Sequence, residues 1–184
     1  MNNFLIVLTG KTASGKDTII AKLLEKFPDF KKVITTTSRI LRTGEINGID
    51  YNFVSKEDFK DKITQGDFEE YVEYGGNLYG TEKSQLNTEG DLIWRIDPSR
   101  AGQIKDLIKN KKLLVIYLTV DDATVYKRLK LRGLSQQEID NRMRDDKVFW
   151  EKYKENYDFV VENIPGQLDL TLDKIVEIIE DHRY

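Results

Sequence analysis

Apolar and polar residues run along this chain in blocks whose period changes from element to element. In NFLIVLTG every position from Phe4 to Leu8 is apolar, as expected of a strand covered on both faces of a parallel sheet. After Gly15 the residues Ile19, Ile20, Leu23, Leu24 and Phe27 recur at helical spacing, and Pro28 stops the pattern. DLIWRID and KKLLVIYLTV predict two further buried strands, with a helix-length stretch from Pro98 to Asn110 between them. Asp121 to Arg132 reads as a helix, and LSQQEIDNRM opens another with Ser135 and Glu138 at capping-box spacing. YDFVVENI predicts a last strand and LDLTLDKIVEIIED a closing amphipathic helix. Such alternation implies right-handed strand-helix-strand crossovers and an α/β sheet.

From Val33 to about Thr81 the pattern changes to short extended pieces with turn signals, TGEINGIDYNFV and EYGGNLYG. Between them Ser55 and Asp58 predict a helix start ahead of Phe59 and Ile63. This stretch reads as a region inserted into the sheet domain. No internal repeat, low-complexity tract or linker divides the chain, and 184 residues suffice for one substantial core.

Composition narrows the function. A formal net charge of -3 argues against a general nucleic-acid or anionic-membrane surface, so any basic chemistry is local. Without cysteine there is neither a disulfide framework nor a thiolate zinc site. The apolar run Phe4 to Leu8 is too short for a signal-peptide core or a membrane span, which makes the cytoplasm the expected compartment. His182, beside the C-terminus, is expected to be a solvated, inert side chain, leaving no histidine for catalysis.

The candidate chemistry begins at LTGKTASGKDT. Gly10, Gly15 and Lys16 fit the G-x-x-x-x-G-K spacing of a phosphate loop, and the loop lies between a strand and a helix as that motif requires. Glycines let successive N–H groups converge on phosphate oxygens, the helix start adds positive potential, and Lys16 reaches the β- and γ-phosphates. Gly10, Lys11, Thr12, Ala13, Ser14, Gly15, Lys16, Asp17 and Thr18 are thus candidate triphosphate ligands. Arginine is concentrated in two segments, Arg39 and Arg42 in the insertion and Arg128, Arg132, Arg142 and Arg144 in the helices after KKLLVIYLTV. Planar, permanently charged forks suit bidentate phosphate recognition.

The run TTTSRILRTGEINGIDYNFVS, followed by GDFEEYVEYGGNLYGT, resembles the nucleoside-monophosphate-binding region of guanylate kinases, and the likeness extends in order over essentially the whole chain. The resemblance implies a P-loop NTPase-type three-layer α/β fold with a central parallel sheet, and ATP-dependent phosphorylation of GMP, and of dGMP, with magnesium. It divides a single domain into a core (about 1–34, 91–127 and 156–184), a GMP-binding region (about 35–90) and a helical lid (about 128–155). Arg39, Arg42, Tyr51 and Tyr79 would bind the GMP phosphate. Glu70 and Thr35 would read the guanine, with Thr81 and Asp97 nearby. Arg128, Arg132 and Arg142 fall in the lid and would join Lys16 in catalysis, and Asn163 would lie near the adenine of ATP. Partners would be these two small molecules, with no nucleic acid or membrane.

Two positions depart from that family. Asp17 stands where a serine or glycine commonly follows the loop lysine, and Arg95 stands where the third core strand commonly carries the first of two acids. We expect Asp17 to supply the negative charge near magnesium that the strand no longer provides, and to be able to pair with Arg95. A catalytically silent guanylate-kinase-like binding module, or a kinase of another small phosphorylated acceptor, would be alternative uses of the same fold.

Overall fold

The computed structural model describes residues 4–74 and 76–183; Asn3 of the first strand run and Gly75 of the second glycine run lie outside them. Strands β1 (Phe4–Gly10) and β2 (Lys31–Val33) come first. The inserted region contributes β3 (Thr36–Thr37), β4 (Asn52–Phe53), β5 (Phe68–Tyr74) and β6 (Asn77–Glu82), and β7 (Leu92–Arg95), β8 (Lys112–Thr119) and β9 (Phe159–Glu162) follow. One sheet has the order β2-β7-β1-β8-β9, with every pairing parallel. A parallel sheet places the C-terminal ends of its strands on one edge, where open α/β sheets hold their ligands.

Alternate residues of β1 divide between two cores. Phe4, Ile6 and Leu8 pack with Ile19, Ile20 and Leu23 of α1 (Lys16–Lys26) and with residues of the closing helix, including Leu172, Ile175 and Ile179. Leu5 and Val7 pack on the opposite side with Trp94, Ile104, Val115, Tyr117, Tyr153 and Tyr157. The uninterrupted apolar run is therefore a period-2 strand whose two faces both need covering. Each such buried side chain stabilises the fold by about 1.5–3 kcal/mol.

The inserted region forms a second sheet, β4-β3-β6-β5, mixed in direction. Helix α2 (Lys56–Gln65) starts at Ser55 as expected, where Ser55 and Asp58 form a reciprocal capping box, and Phe59 stacks on Phe68 of β5 at 4.4 Å. A short helix α3 (Lys83–Leu86) returns the chain to the core, and Trp94 Nε1 donates to Thr81 Oγ1 at 3.0 Å across the two sheets.

The stretch predicted as one helix from Pro98 to Asn110 is instead two single turns, α4 (Pro98–Ala101) and α5 (Ile104–Leu107). The break is at Gly102, against which Tyr153 is packed so closely that a Cβ would lie 2.3 Å from its Cγ. Asn156 Nδ2 also bonds the Gly102 carbonyl, and Gln103 Nε2 donates to Tyr153 Oη at 3.0 Å. Tertiary packing thus overrides the local helical tendency. Helices α6 (Asp122–Leu131) and α7 (Gln136–Tyr153) follow, the second opening with the Ser135–Glu138 capping box, and α8 (Leu168–Arg183) closes the chain. His182 is not a solvated terminal side chain: its Nδ1 is 2.8 Å from the Ile178 carbonyl oxygen and its ring sits edge-on to Phe159.

Candidate active site

The loop after β1 is bent by three left-handed residues, Gly10 (φ 141°), Ala13 (φ 55°) and Gly15 (φ 95°). Gly15 precedes α1 with no side-chain cap, so the first N–H groups of the helix remain for an anion. Other segments hold the loop's carbonyls: Arg128 Nη1 donates to Ala13 O at 2.7 Å and Asn163 Nδ2 to Ser14 O at 2.8 Å. Lys11 reaches away to Asp122 at 2.6 Å. Lys16 folds back onto the loop, donating to Gly10 O at 2.9 Å and Lys11 O at 2.7 Å. Burial lowers its ammonium to about 8, and neighbouring Arg95 adds to the effect. A lysine held so, with its charge disfavoured, is ready to turn toward an incoming phosphate.

Gly10 cannot be replaced without cost. A Cβ there would meet the Leu118 carbonyl oxygen of β8 at 2.0 Å, and its φ is one that L side chains rarely adopt. Gly10→Ala is expected to destabilise the chain by about 3 kcal/mol or more, whereas Gly133→Ala, with open space but φ 78°, should cost about 1 kcal/mol. Urea denaturation of both variants checks this, and equal losses would contradict it.

A buried acid absent from the sequence reading completes the loop. Asp146 of α7, 8% exposed, accepts a hydrogen bond from Thr12 N at 2.9 Å. Burial pushes its carboxyl up to about 6, against the opposing pull of Thr12 N–H and Lys16. Beside the loop, a cavity of about 330 Å³ is lined by Ala13, Gly15, Thr18, Arg128, Arg132 and Asn163, among others. Burial holds the Arg132 guanidinium below the usual arginine range; Asp17 opposes this, while Arg142, Arg42 and Arg128 push the same way. Three of the predicted arginines are thus each near enough to Arg132 to repel it. Arg142 also lies 5.5 Å from the Tyr74 ring, while Arg144 is turned to Asn141 on its own helix.

Across the sheet edge the insertion brings together Arg39, Tyr51 and Tyr79. The Arg39 guanidinium lies 5.5 Å from the Tyr51 ring, and the two tyrosine rings are 6.1 Å apart. Glu45 holds this arginine with two bonds of 2.7 and 3.0 Å and accepts from Arg42 N at 2.8 Å, an orienting role the sequence reading did not assign. Arg95, at the end of β7, bonds both Asp17 Oδ1 and the Tyr51 hydroxyl. The expected Asp17–Arg95 pair is therefore formed.

At the far end, Glu70 is 7% exposed, accepts from Thr81 Oγ1 at 2.8 Å and faces Arg100 Nε at 3.6 Å. Burial raises its carboxyl to about 7 in spite of both partners. Asp97 uses Oδ1 to cap α4 through Ser99 N at 2.8 Å, and its charge acts on Lys16, Glu70 and Asp146 alike, so it stands between the two ends of the site. Thr35 lies beside β3 and its carbonyl accepts from Asn52 N at 2.9 Å. Among the described residues no helix is long and apolar enough to cross a membrane.

The model of the guanylate kinase family matches residues 2–182. The chain is 35% identical over 184 residues to the guanylate kinase of Pseudoalteromonas translucida (strain TAC 125), covering 97% of this chain and 87% of that one. It is 33% identical over 186 residues to the guanylate kinase of Lactiplantibacillus plantarum, with 98% and 88% covered. The crystal structure of guanylate kinase from Anaplasma phagocytophilum has the same fold, with a TM-score of 0.73 at 23% identity over 98% of this chain and 86% of that chain.

Proposed function

The chain belongs to the guanylate kinase family, and from that premise we infer that it transfers the γ-phosphoryl group of ATP to GMP, and to dGMP, giving GDP and dGDP. The observation that carries this reading is the convergence on one sheet edge of a phosphate loop, an arginine–tyrosine cluster and a buried carboxylate beyond it. A silent binding module has no need of Lys16, nor of an Arg132 that Arg128 and Arg142 both repel. A different phosphorylated acceptor would leave Glu70 with only its protein partners Thr81 and Arg100, and no paired N–H donors from a base.

In this reading residues 10–18 and Asn163 hold ATP, and Arg39, Arg42, Tyr51 and Tyr79 hold the GMP phosphate. Glu70, with Thr35, Thr81 and Asp97, surrounds the guanine, whose adjacent N1–H and N2–H suit a carboxylate. The core, acceptor region and lid carry the bounds expected above. The accepting phosphate oxygen is already anionic, so no general base is needed. Catalysis consists of holding two nucleotides in line while Lys16 and the lid arginines neutralise the migrating group. The cytoplasm is the compartment this reading proposes, since both nucleotide substrates are available there.

The residues present also suit magnesium carried by ATP. Among the described residues no three His, Cys, Asp or Glu side chains form a metal cage, but nucleotide-borne magnesium keeps several waters and takes only one or two carboxylates. Asp17, its side chain 75% exposed, and the exposed Thr18 hydroxyl meet that need at the start of α1. The ion, when bound, offsets charge on the β- and γ-phosphates. Asp17→Ser is expected to raise the magnesium concentration for half-maximal rate several-fold at saturating nucleotides; an unchanged requirement would remove Asp17 from that role.

An ADP-release assay with ATP, magnesium and a panel of monophosphates tests the function. GMP and dGMP should turn over far better than AMP, CMP or UMP, and an equal response to AMP would sink the reading.

A further inference from the structure

Arg95 has no part in the roles above, yet it occupies the junction between them. Its side chain is 24% exposed, and its guanidinium bonds Asp17 on one side and the Tyr51 hydroxyl on the other. Its carbon lies 5.0 Å from the Tyr51 ring, on which Arg39 also converges. The cation is therefore shared between the start of α1 and the cluster that receives the acceptor phosphate.

Asp17 is a poor permanent partner for it. The carboxylate is largely in water, where an ion pair contributes little. A phosphate brings more charge and three acceptor oxygens, which match the five-donor fork of a guanidinium. The two bonds named leave donors on Arg95 to spare.

We propose that Arg95 is a ligand of the acceptor phosphate, and that Asp17 is the anion that keeps its place until the phosphate arrives. Asp17 is then released toward the magnesium of ATP, so filling of the two sites is linked through one exchange of partners. The proposal rests on the reading that Tyr51 and Arg39 face the GMP phosphate. It adds a binding residue at a position where the family's strand commonly carries an acid.

Calorimetric titration of GMP without ATP or magnesium tests it on the full chain and on Arg95→Gln, Arg95→Lys and Asp17→Asn. Arg95→Gln should weaken GMP roughly ten- to hundredfold, the scale of charge-assisted hydrogen bonds, and Arg95→Lys should fall between, since it keeps charge without the fork. Asp17→Asn should tighten GMP about threefold or more by freeing Arg95. Thermal unfolding establishes that each variant is folded. The proposal is overturned if Arg95→Gln binds GMP as the unaltered chain does. It is equally overturned if Asp17→Asn weakens GMP alongside Arg95→Gln, the pattern of a purely structural pair. Failure of the unaltered chain to bind GMP would instead overturn the functional reading, and the proposal with it.

Discussion

Lys16→Met is expected to lower kcat/KM for GMP phosphorylation by about a thousandfold while the chain remains folded. Methionine keeps an unbranched stem but removes the cation that would follow the γ-phosphoryl group, and loss of one preorganised charge partner in such sites typically costs about 10²–10³ or more. The structural cost is smaller. Gly10 O and Lys11 O each lose a hydrogen bond, worth about 1 kcal/mol, but the fold no longer confines an ammonium whose charge burial disfavours. Steady-state kinetics together with urea denaturation separate the two effects. Retained activity in a folded variant would remove Lys16 from catalysis.

Glu70→Gln is expected to reduce the preference for GMP over AMP by about 1–3 kcal/mol, because an amide presents a donor to one of the two guanine donors it must receive. The pH dependence makes this sharper. Burial raises the Glu70 carboxyl to about 7, and only its ionised form accepts both guanine N–H groups. GMP affinity should therefore be full above pH 7 and fall by about tenfold per pH unit below it, as binding must first expel a proton. Glutamine does not titrate, so the variant should keep only the dependence due to the GMP phosphate itself. Parallel profiles of GMP KM against pH for the two proteins would contradict the assignment.

How much of this was legible before the structure depends on how local each feature is. The strands, α1, the start of α2 and the Ser135–Glu138 capping box follow from spacing, and the division of β1 between two cores is implicit in a run apolar at every position. The single helix expected after Pro98 fails at Gly102 because Tyr153, 51 positions on, packs against it. Nothing near Gly102 announces that contact. Asp146 was missed for the same reason: on α7 it reads as one acid in the charged run Arg-Asp-Asp-Lys, and only the fold brings it to Thr12. Glu45 lay inside the TGEINGIDYNF run but read as part of a turn, while the structure makes it the clamp on Arg39. Asp17 and Arg95 were legible as a pair because each reverses or adds a charge at a position where the family commonly has another residue, and the two changes compensate in space.

The transferred group itself can be followed. The purified chain is incubated with ATP labelled in its γ-phosphate, magnesium and GMP, and the products are separated. Phosphoryl transfer predicts label in the β-phosphate of GDP in one-to-one amount with ADP, dependent on Lys16. Label released only as inorganic phosphate, or GMP bound with no GMP-dependent formation of ADP, would contradict it.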